Sequence, residues 1–310
     1  MGINLTSISD GVTPANSNVL SYTPANRLAS ATGPWGTESF SYDAVGNRLN
    51  DNVVSGASTT TTLASYPVTS NQLSALNQNA AAFRSYTYDA GGNIITDTRP
   101  GQVYQFGYNN RNRMSTVALN GSAYATYGYN ALEELTTRTT SATGGPVGTV
   151  GYIYDLDGHL IAETNATTGA ITRDYIWLAD SARPASFLQA GDQGSRQADN
   201  DNTPTDMPLA VSDVSGTTAT ISYVHTDHLG RPILMTDASG STVFQALYKP
   251  YGEVYSTSAT KALNLRFPGQ SVHPNNPPTI VPSAYALPLH HHGHRHGARR
   301  LRLDELMSVL

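Results

Sequence analysis

The stretch Phe40-Ser-Tyr-Asp-Ala-Val-Gly-Asn47 returns almost unchanged as Tyr86-Thr-Tyr-Asp-Ala-Gly-Gly-Asn93. In each copy two aromatic residues are separated by a single residue, which places both rings on the same face of a β-strand. The Asp that follows and the Gly three positions later are typical of a type I turn. Each copy therefore predicts a strand, a tight turn and a second strand.

Tyrosine marks this unit along the first half of the chain. Seven tyrosines are spaced 20, 24, 22, 20, 21 and 25 residues apart: Tyr22, Tyr42, Tyr66, Tyr88, Tyr108, Tyr129 and Tyr154. Self-similarity at such a period indicates a repeat architecture. Two strands and their turns fill about 22 residues. The spacing therefore predicts an all-β fold, in which consecutive β-hairpins join into a long, curling sheet.

The turn after the tyrosine is the most regular part of the repeat. Its fourth position is held by Gly or by Asn, the residues that tolerate a positive φ: Asn26, Gly46, Gly92, Asn112 and Gly158. Two units are degenerate, because Ser70 follows Tyr66 at this position and Glu133 follows Tyr129. Repeat arrays tolerate such drift, so we expect both units to keep the hairpin.

Composition limits the classes of function. Charged residues make up 13% of the 310 residues, and the net charge of −5 gives no basic footprint for nucleic acid. The chain has 18 Tyr against 6 Phe, which suits a sheet that is wetted on one face. It has no Cys, so disulfides and thiol chemistry are excluded. No run of about 20 apolar residues is present, so no membrane-spanning segment is expected.

Two sets of motifs resemble one family, the bacterial Rhs (rearrangement hotspot) proteins. The runs Tyr42–Asn47 and Tyr88–Asn93 resemble its YD repeat. Four later motifs look like the Rhs-associated core, in its usual order: Tyr223-Val-His-Thr-Asp-His-Leu-Gly-Arg-Pro232, Thr236-Asp-Ala-Ser-Gly240, Tyr248-Lys-Pro-Tyr-Gly252 and Leu265-Arg-Phe-Pro-Gly-Gln270. The resemblance covers roughly residues 20–270.

The resemblance implies a structural function. Rhs sheets spiral into a hollow shell around a toxic cargo, so this chain is expected to be a segment of the shell of a secreted polymorphic toxin used in intercellular competition. About nine hairpins are too few to close such a shell. We therefore expect a fragment or a decayed paralogue, whose open sheet edges are templates for self-association. Its expected partners are the rest of a larger shell and the toxin cargo.

Two other functions remain open. Tyrosine-lined, charge-poor β surfaces can stack sugars, which favours a carbohydrate- or cell-surface-binding module. Residues 271–310 could instead be a short toxin tip, since Rhs cores are followed by divergent toxin domains. We expect no enzyme in this chain, because the aspartate-dependent self-cleavage region of related proteins is missing after the core motif.

The sequence divides into five regions. We predict a polar lead-in over 1–20, the YD-repeat region over 21–188, a flexible polar loop over 189–208, the core-motif region over 209–270 and a divergent tail over 271–310. The tail is rich in Pro, His and Arg and too short to bury a core unaided, so we expect it to be disordered. It is either the product of a frameshift or truncation, or a real variable tip.

Three groups of residues resemble functional sites, and we assign none of them. His225 and His228 flank an Asp and could suggest a base or a zinc ligand, but on a strand they point to opposite faces, which favours structural hydrogen bonding. The run His290–His296 could capture nickel, copper or zinc opportunistically. Asp155 faintly resembles a calcium loop but sits in the turn of the repeat. No catalytic, cofactor-binding or metal residue is predicted, and no cofactor.

The export route is also open. Met1–Leu20 has neither a charged n-region nor an apolar h-region, so no signal peptide is expected. If the chain is exported, a specialised secretion system must carry it to the cell surface or beyond. A fragment that is not exported would stay in the cytoplasm.

Overall fold

The computed structural model describes residues 4–145, 147–156, 158–178, 207–227, 229–265, 270–271 and 287–288. These residues fall into two compact units. One holds the described residues within Met1–Tyr124 together with Leu247–Tyr255, and the other holds those within Ala125–Ala246 and from Ser256 onward. The core-motif turn at 249–253 therefore belongs to the same unit as the early repeats.

The all-β prediction is confirmed: 21 strands form one sheet, and the described residues include no α-helix. The strands of the first part are β1 Ser7–Ile8, β2 Asn18–Tyr22, β3 Leu28–Gly33, β4 Gly36–Tyr42, β5 Arg48–Ser55, β6 Ser58–Ser65, β7 Ala75–Gln78, β8 Ala81–Tyr88, β9 Ile94–Arg99, β10 Gln102–Tyr108 and β11 Met114–Leu119. The second part continues with β12 Ser122–Tyr129, β13 Leu135–Thr140, β14 Gly148–Tyr154, β15 Leu160–Asn165, β16 Ile171–Leu178, β17 Met207–Ser215, β18 Thr218–Thr226, β19 Pro232–Thr236, β20 Thr242–Tyr248 and β21 Val254–Ala259.

Two kinds of small element complete the described structure. Single 3-10 turns span Pro14–Asn16 and Ala142–Gly144. The two-residue strands β22, Gln270–Ser271, and β23, Leu287–Pro288, pair with each other. No described helix is long and apolar enough to cross a membrane.

Neighbours along the chain are neighbours in the sheet. From β1 to β11, and again from β12 to β20, each strand pairs antiparallel with the next. Except for β16 and β17, which are separated by 28 residues, these pairings join segments close in sequence, which keeps the loop-closure entropy of each hairpin small. The prediction of consecutive hairpins is confirmed.

The repeat tyrosine stands at a β-bulge. Tyr42 pairs with Arg48, and the register shifts by one residue between Ser41 and Tyr42. The same shift precedes Tyr22, Tyr88, Tyr108, Tyr129 and Tyr154. A bulge bends the strand and re-aims the side chain, which directs the tyrosine towards the preceding repeat.

The two faces of the sheet differ in chemistry. One face buries the aromatic residue two positions before the repeat tyrosine, as with Phe40 at 8% exposed and Tyr86 at 7%. The other face carries cross-strand hydroxyl pairs: Ser21–Ser30 at 2.7 Å, Thr32–Thr37 at 3.0 Å, Thr87–Thr96 at 2.6 Å and Thr139–Thr149 at 2.9 Å. A sheet wetted on one side, as the composition predicts, has this division.

Strand positions differ in two places from the predicted regions. The lead-in predicted over 1–20 contains β1 and the start of β2. The predicted loop over 189–208 lies outside the described residues except for Met207 and Pro208, which begin β17. Of the tail over 271–310, the structure describes only Ser271, Leu287 and Pro288.

Candidate functional site: the Lys249–Glu253 turn against strands β4 and β5

In at least five of the seven repeats the repeat tyrosine joins its hairpin to the one before it. The Tyr42 hydroxyl donates to the carbonyl oxygen of Leu28 at 2.8 Å. In the same way Tyr88 donates to Leu73 at 2.7 Å, and Tyr108 to Ile94 at 2.8 Å. Further bonds of this kind run from Tyr22 to Leu5, from Tyr66 to Arg48 and, through the indole N–H, from Trp177 to Leu160. We call these bonds the tyrosine clamps.

The turn after each tyrosine is held by its first side chain. Oδ1 of Asp43 accepts the backbone N–H groups of Val45, Gly46 and Asn47 at 3.0, 2.7 and 2.8 Å. Its Oδ2 accepts the side-chain amide of Asn47 at 2.7 Å. These bonds to the charged form lower the pKa of Asp43, although burial acts against them. The turn is therefore closed mainly by local bonds, to which Arg27 of the preceding repeat adds one to the Asp43 carbonyl at 3.0 Å.

Two further positions of the repeat lie together inside the sheet. They are the fourth residue before the tyrosine and the ninth residue after it. In the Tyr88 repeat they are Arg84 and Asp97, which form a bidentate pair at 3.0 and 2.6 Å. Arg99 adds a second cation at 2.7 Å from Asp97. The side chains of Arg84 and Asp97 are 2% and 1% exposed, so this ion pair is buried and fully compensated.

The Tyr42 repeat places two acids at the same positions. Glu38 corresponds to Arg84, and Asp51 corresponds to Asp97. Asp51 lies opposite Phe40 in the β4–β5 ladder, one diagonal step from Glu38. Glu38 is only 2% exposed. The early repeat thus buries a carboxyl pair where the later repeat buries an ion pair.

A cation for this pair comes from the core motif. Nζ of Lys249 lies 3.4 Å from Oε1 of Glu38 and 3.4 Å from Oε2 of Glu253. Lys249 opens a turn of the same form as the YD turn: its N–H donates to the Glu253 carbonyl at 2.8 Å, and the Gly252 N–H donates to the Lys249 carbonyl at 2.9 Å. The lysine therefore links the core motif to an early repeat, 211 residues away along the chain.

Tyr251, at the tip of this turn, packs into the same place. Its ring meets Phe40 edge-on with centroids 4.9 Å apart. The Arg48 guanidinium lies 4.8 Å from the Tyr251 centroid and 5.5 Å from that of Phe40. The Tyr251 hydroxyl also shares a hydrogen bond with the Tyr42 hydroxyl. Aromatic and cation–π contacts of this kind are worth about 0.5–2 kcal/mol each.

Burial and charge shift the titration of this contact. The pKa of Glu38 is raised to about 8, first by burial and then by the neighbouring charge of Asp51, while Lys249 opposes the shift. Burial also raises the pKa of Glu253, again against Lys249. Burial disfavours the Lys249 ammonium, but the carboxylates of Glu253, Glu38 and Asp51 outweigh it and raise its pKa. We refer to these residues, with Phe40, Tyr42, Arg48 and Tyr251, as the core-turn contact.

Those residues singled out in the sequence that the structure describes make ordinary structural hydrogen bonds. His225 is exposed, and its Nε2 lies 3.0 Å from the Thr236 hydroxyl. His228 and His290–His296 lie outside the described residues. Asp155 caps its repeat turn, accepting the His159 N–H at 2.9 Å. Within the described ranges, no group of three or more His, Cys, Asp or Glu residues could hold a metal ion.

Sequence reasoning missed the core-turn contact. Comparing the repeats position by position would have shown that Glu38 and Asp51 replace an Arg–Asp pair. It would not have shown that Lys249 compensates them, because that lysine is distant in sequence. The signal that the sequence offered was the pair of acids, with no base, at these two positions of the Tyr42 repeat.

Comparison with known proteins agrees with the motifs. A family model described as RHS protein matches residues 221–257, which include the core turn. This match confirms the Rhs resemblance derived from the core motifs.

Two curated proteins are similar over most of this chain. The double-stranded DNA deaminase toxin A of Burkholderia cenocepacia (strain H111) is 27% identical over an alignment of 270 residues that covers 81% of this chain and 17% of the toxin. The tRNA3(Ser)-specific nuclease WapA of Bacillus spizizenii is 28% identical over an alignment of 222 residues that covers 70% of this chain and 8% of the nuclease. The chain thus spans less than a fifth of either relative.

Solved toxin structures are similar at lower identity. A crystal structure of TcdB2–TccC3–Cdc42 has a TM-score of 0.37 at 12% identity and covers 82% of this chain and 19% of the other. A structure of the Photorhabdus luminescens Tc holotoxin pore has a TM-score of 0.26 at 11% identity, with 83% and 19% covered.

Proposed function

We propose that this chain is a structural segment of an Rhs-type shell that encloses a toxin of a secreted polymorphic toxin system. The observation that carries the proposal is the core-turn contact. The segment matching the RHS model ends in a turn whose Tyr251 bonds to Tyr42 of an early repeat, 209 residues away. A repeat sheet that acts as a wall needs ties between distant strands as well as between neighbours, and this contact is such a tie.

The relatives support a structural role over a catalytic one. One is named as a DNA deaminase toxin and the other as a tRNA nuclease, and this chain is similar to a minor part of each. A segment common to toxins with different chemistry fits a function that both need, such as enclosing or carrying the toxic domain. We therefore propose that the described residues have no enzymatic role.

The partners and location follow from this proposal. The chain would contact the rest of a larger shell and the toxin cargo, in a protein that a specialised system secretes for competition between cells. A chain made as a fragment or as a decayed paralogue would keep the hairpins but enclose nothing, and its exposed sheet edges would favour self-association.

A chimera tests the proposal directly. The segment of the Burkholderia cenocepacia deaminase toxin that matches this chain is replaced by the chain, and the C-terminal deaminase is challenged with protease before and after denaturation. We expect the deaminase to stay protected in the native chimera and to be digested after denaturation. The matched control is the unmodified toxin, which reports the protection that a working segment gives.

Two outcomes would contradict the shell function. A native chimera whose deaminase is digested at the rate of the denatured protein would show that the chain cannot replace a shell segment. Selective binding of one sugar by the isolated chain on a glycan array would favour the carbohydrate-binding alternative, since a shell segment needs no such ligand.

A further inference from the structure

The core-turn contact buries more acid than base. Its carboxyls belong to Glu38, Asp51 and Glu253, and its cations to Lys249 and Arg48. Oε2 of Glu38 and Oδ1 of Asp51 are both buried, and no N–H or O–H of the described residues donates to either atom. An ionised Glu38 would leave Oε2 buried without a donor, so burial favours the protonated form of this carboxyl.

The charged and titratable groups that face Glu38 come from two places. Strand β5 supplies Asp51, and the core turn supplies Lys249, Tyr251 and Glu253. Strand β3, on the other side of β4, places Ala31 beside Glu38 and adds no charge there. Lys249 touches Glu38 and its charge favours the ionised carboxyl, so a pH response of the turn depends on the burial of Glu38 in the contact, which opposes ionisation more strongly.

We propose that Glu38 acts as a proton-dependent latch, which holds the Lys249–Glu253 turn against β4 and β5 while its carboxyl is protonated and loosens the turn when the carboxyl ionises beside Asp51. The inference concerns the chain itself and holds whether or not the chain encloses a toxin.

The direction of the pH dependence follows from the titration of Glu38. Its pKa is about 8 in the folded chain and 4.5 in the unfolded reference. Between these values the folded chain binds a proton that the unfolded chain has lost, so stability falls as the pH rises. The contribution of Glu38 to stability is fully present below about pH 4.5 and is lost as the pH passes through about 8. The raised pKa of Glu253 acts in the same direction, whereas that of Lys249 acts only above about pH 10.5.

The Tyr88 repeat, by contrast, lacks this property. There the position of Glu38 is taken by Arg84, and Asp97 is paired with two guanidinium groups. These guanidinium groups hold the pKa of Asp97 below its usual value, although burial opposes them. Such a site stays ionised across the neutral and alkaline range and cannot act as a switch there.

Hydrogen exchange measured by mass spectrometry tests the latch on the full 310-residue chain. The readout is the protection of peptides covering residues 249–256, corrected for intrinsic exchange, from about pH 6 to about pH 9. In the native chain we expect the protection factor to fall about tenfold or more over this range. Peptides covering β8 and β9 serve as the internal reference and should change little.

Three variants test which carboxyl is responsible for the pH dependence of the protection. Glu38→Gln keeps the shape, cannot ionise and can donate to Asp51, so it should keep the turn protected at about pH 9. Asp51→Asn should do the same from the other side of the pair and covers the case in which Glu38→Gln does not fold. Asp174→Asn removes a half-buried carboxyl of the other unit and should leave the native pH dependence unchanged.

Clear results would overturn the latch. It is wrong if the native turn keeps the same corrected protection at both ends of the pH range. It is also wrong if Glu38→Gln and Asp51→Asn both lose protection with the native pH dependence, because another group would then control the turn.

Discussion

The repeats at Tyr42 and Tyr88 share the same backbone geometry but differ in the charges they place inside the sheet. Both have a bulge before the tyrosine, an Asp-capped turn and a tyrosine clamp. At the two buried positions of the repeat, however, the later unit has Arg84 and Asp97, whereas the early unit has Glu38 and Asp51. The later unit is complete in itself. The early unit needs Lys249 from a distant turn, so an incomplete repeat marks where another segment docks.

This difference separates two ways of stabilising a repeat sheet. Tyrosine clamps act between neighbours and recur with the sequence period. The core-turn contact occurs at a repeat that keeps the hairpin backbone of the others but carries different charges at the two positions inside the sheet. In a solenoid-like array, where each unit touches mainly its neighbours, a change in buried charge at one unit can specify a partner without disturbing the hairpin.

The largest expected effect comes from making the same change at the two equivalent aspartates. Asp97→Asn leaves Arg84 and Arg99 buried without their counter-charge and should lower the free energy of unfolding by about 3–5 kcal/mol. Asp51→Asn removes a like charge from the carboxyl pair and should cost less than about 1 kcal/mol near neutral pH. Denaturant unfolding of both variants beside the native chain measures the difference.

Equal destabilisation by Asp97→Asn and Asp51→Asn would show that the two sites are alike and would remove the basis of the comparison. The double variant Arg84→Met with Asp97→Leu is the control for packing. It should recover the part of the loss that comes from Arg84, because an apolar pair of similar volume can replace a buried ion pair, whereas Arg99 still lacks its counter-charge.

A smaller effect is expected from the tyrosine clamps. Tyr88→Phe removes the bond to the Leu73 carbonyl and leaves that buried acceptor unsatisfied, which should cost about 1 kcal/mol. Tyr42→Phe should cost more, because the Tyr42 hydroxyl bonds both to Leu28 and to Tyr251. Thermal unfolding of the two variants measures the difference.

Tyr223→Phe is the matched control for the clamps, since the Tyr223 side chain is 47% exposed. It should be close to neutral. If Tyr88→Phe were equally neutral, the tyrosine period would reflect ring packing alone and the clamp would contribute nothing.

The smallest effect is a gain in stability at a degenerate repeat. Glu133 occupies the turn position that the better repeats give to Gly or Asn, and its φ is 67°. Glu133→Gly relieves this left-handed strain and should raise the free energy of unfolding by about 0.5–1 kcal/mol. Ala131→Gly, in the same turn at a position without a positive φ, should instead be neutral or slightly destabilising.

The sign of the Glu133 result decides how the degenerate unit is held. A loss of stability in Glu133→Gly would mean that contacts of the Glu133 side chain outweigh the strain of its backbone. Chemical denaturation of the two variants, fitted with a common slope, gives the answer.

The hairpins were predictable because their stabilising bonds are local. Asp43 and Asp89 cap backbone groups within four residues of themselves, and Gly46 and Gly92 supply the positive φ that the turn requires. The degenerate Tyr66 and Tyr129 units also keep their hairpins, as expected. Turn chemistry and strand alternation act over a few residues, so the sequence alone determined the repeat, the all-β class and the Rhs resemblance.

The core-turn contact was decided by tertiary structure. Nothing in the local sequence of Tyr248–Gly252 indicates that Lys249 lies beside Glu38 or that Tyr251 packs on Phe40, because these contacts join residues more than 200 positions apart. The pKa of Glu38 has the same origin, since it depends on burial and on neighbours brought together only by folding. Local bonds set the repeat, and long-range packing set which repeat carries a buried charge that another segment completes.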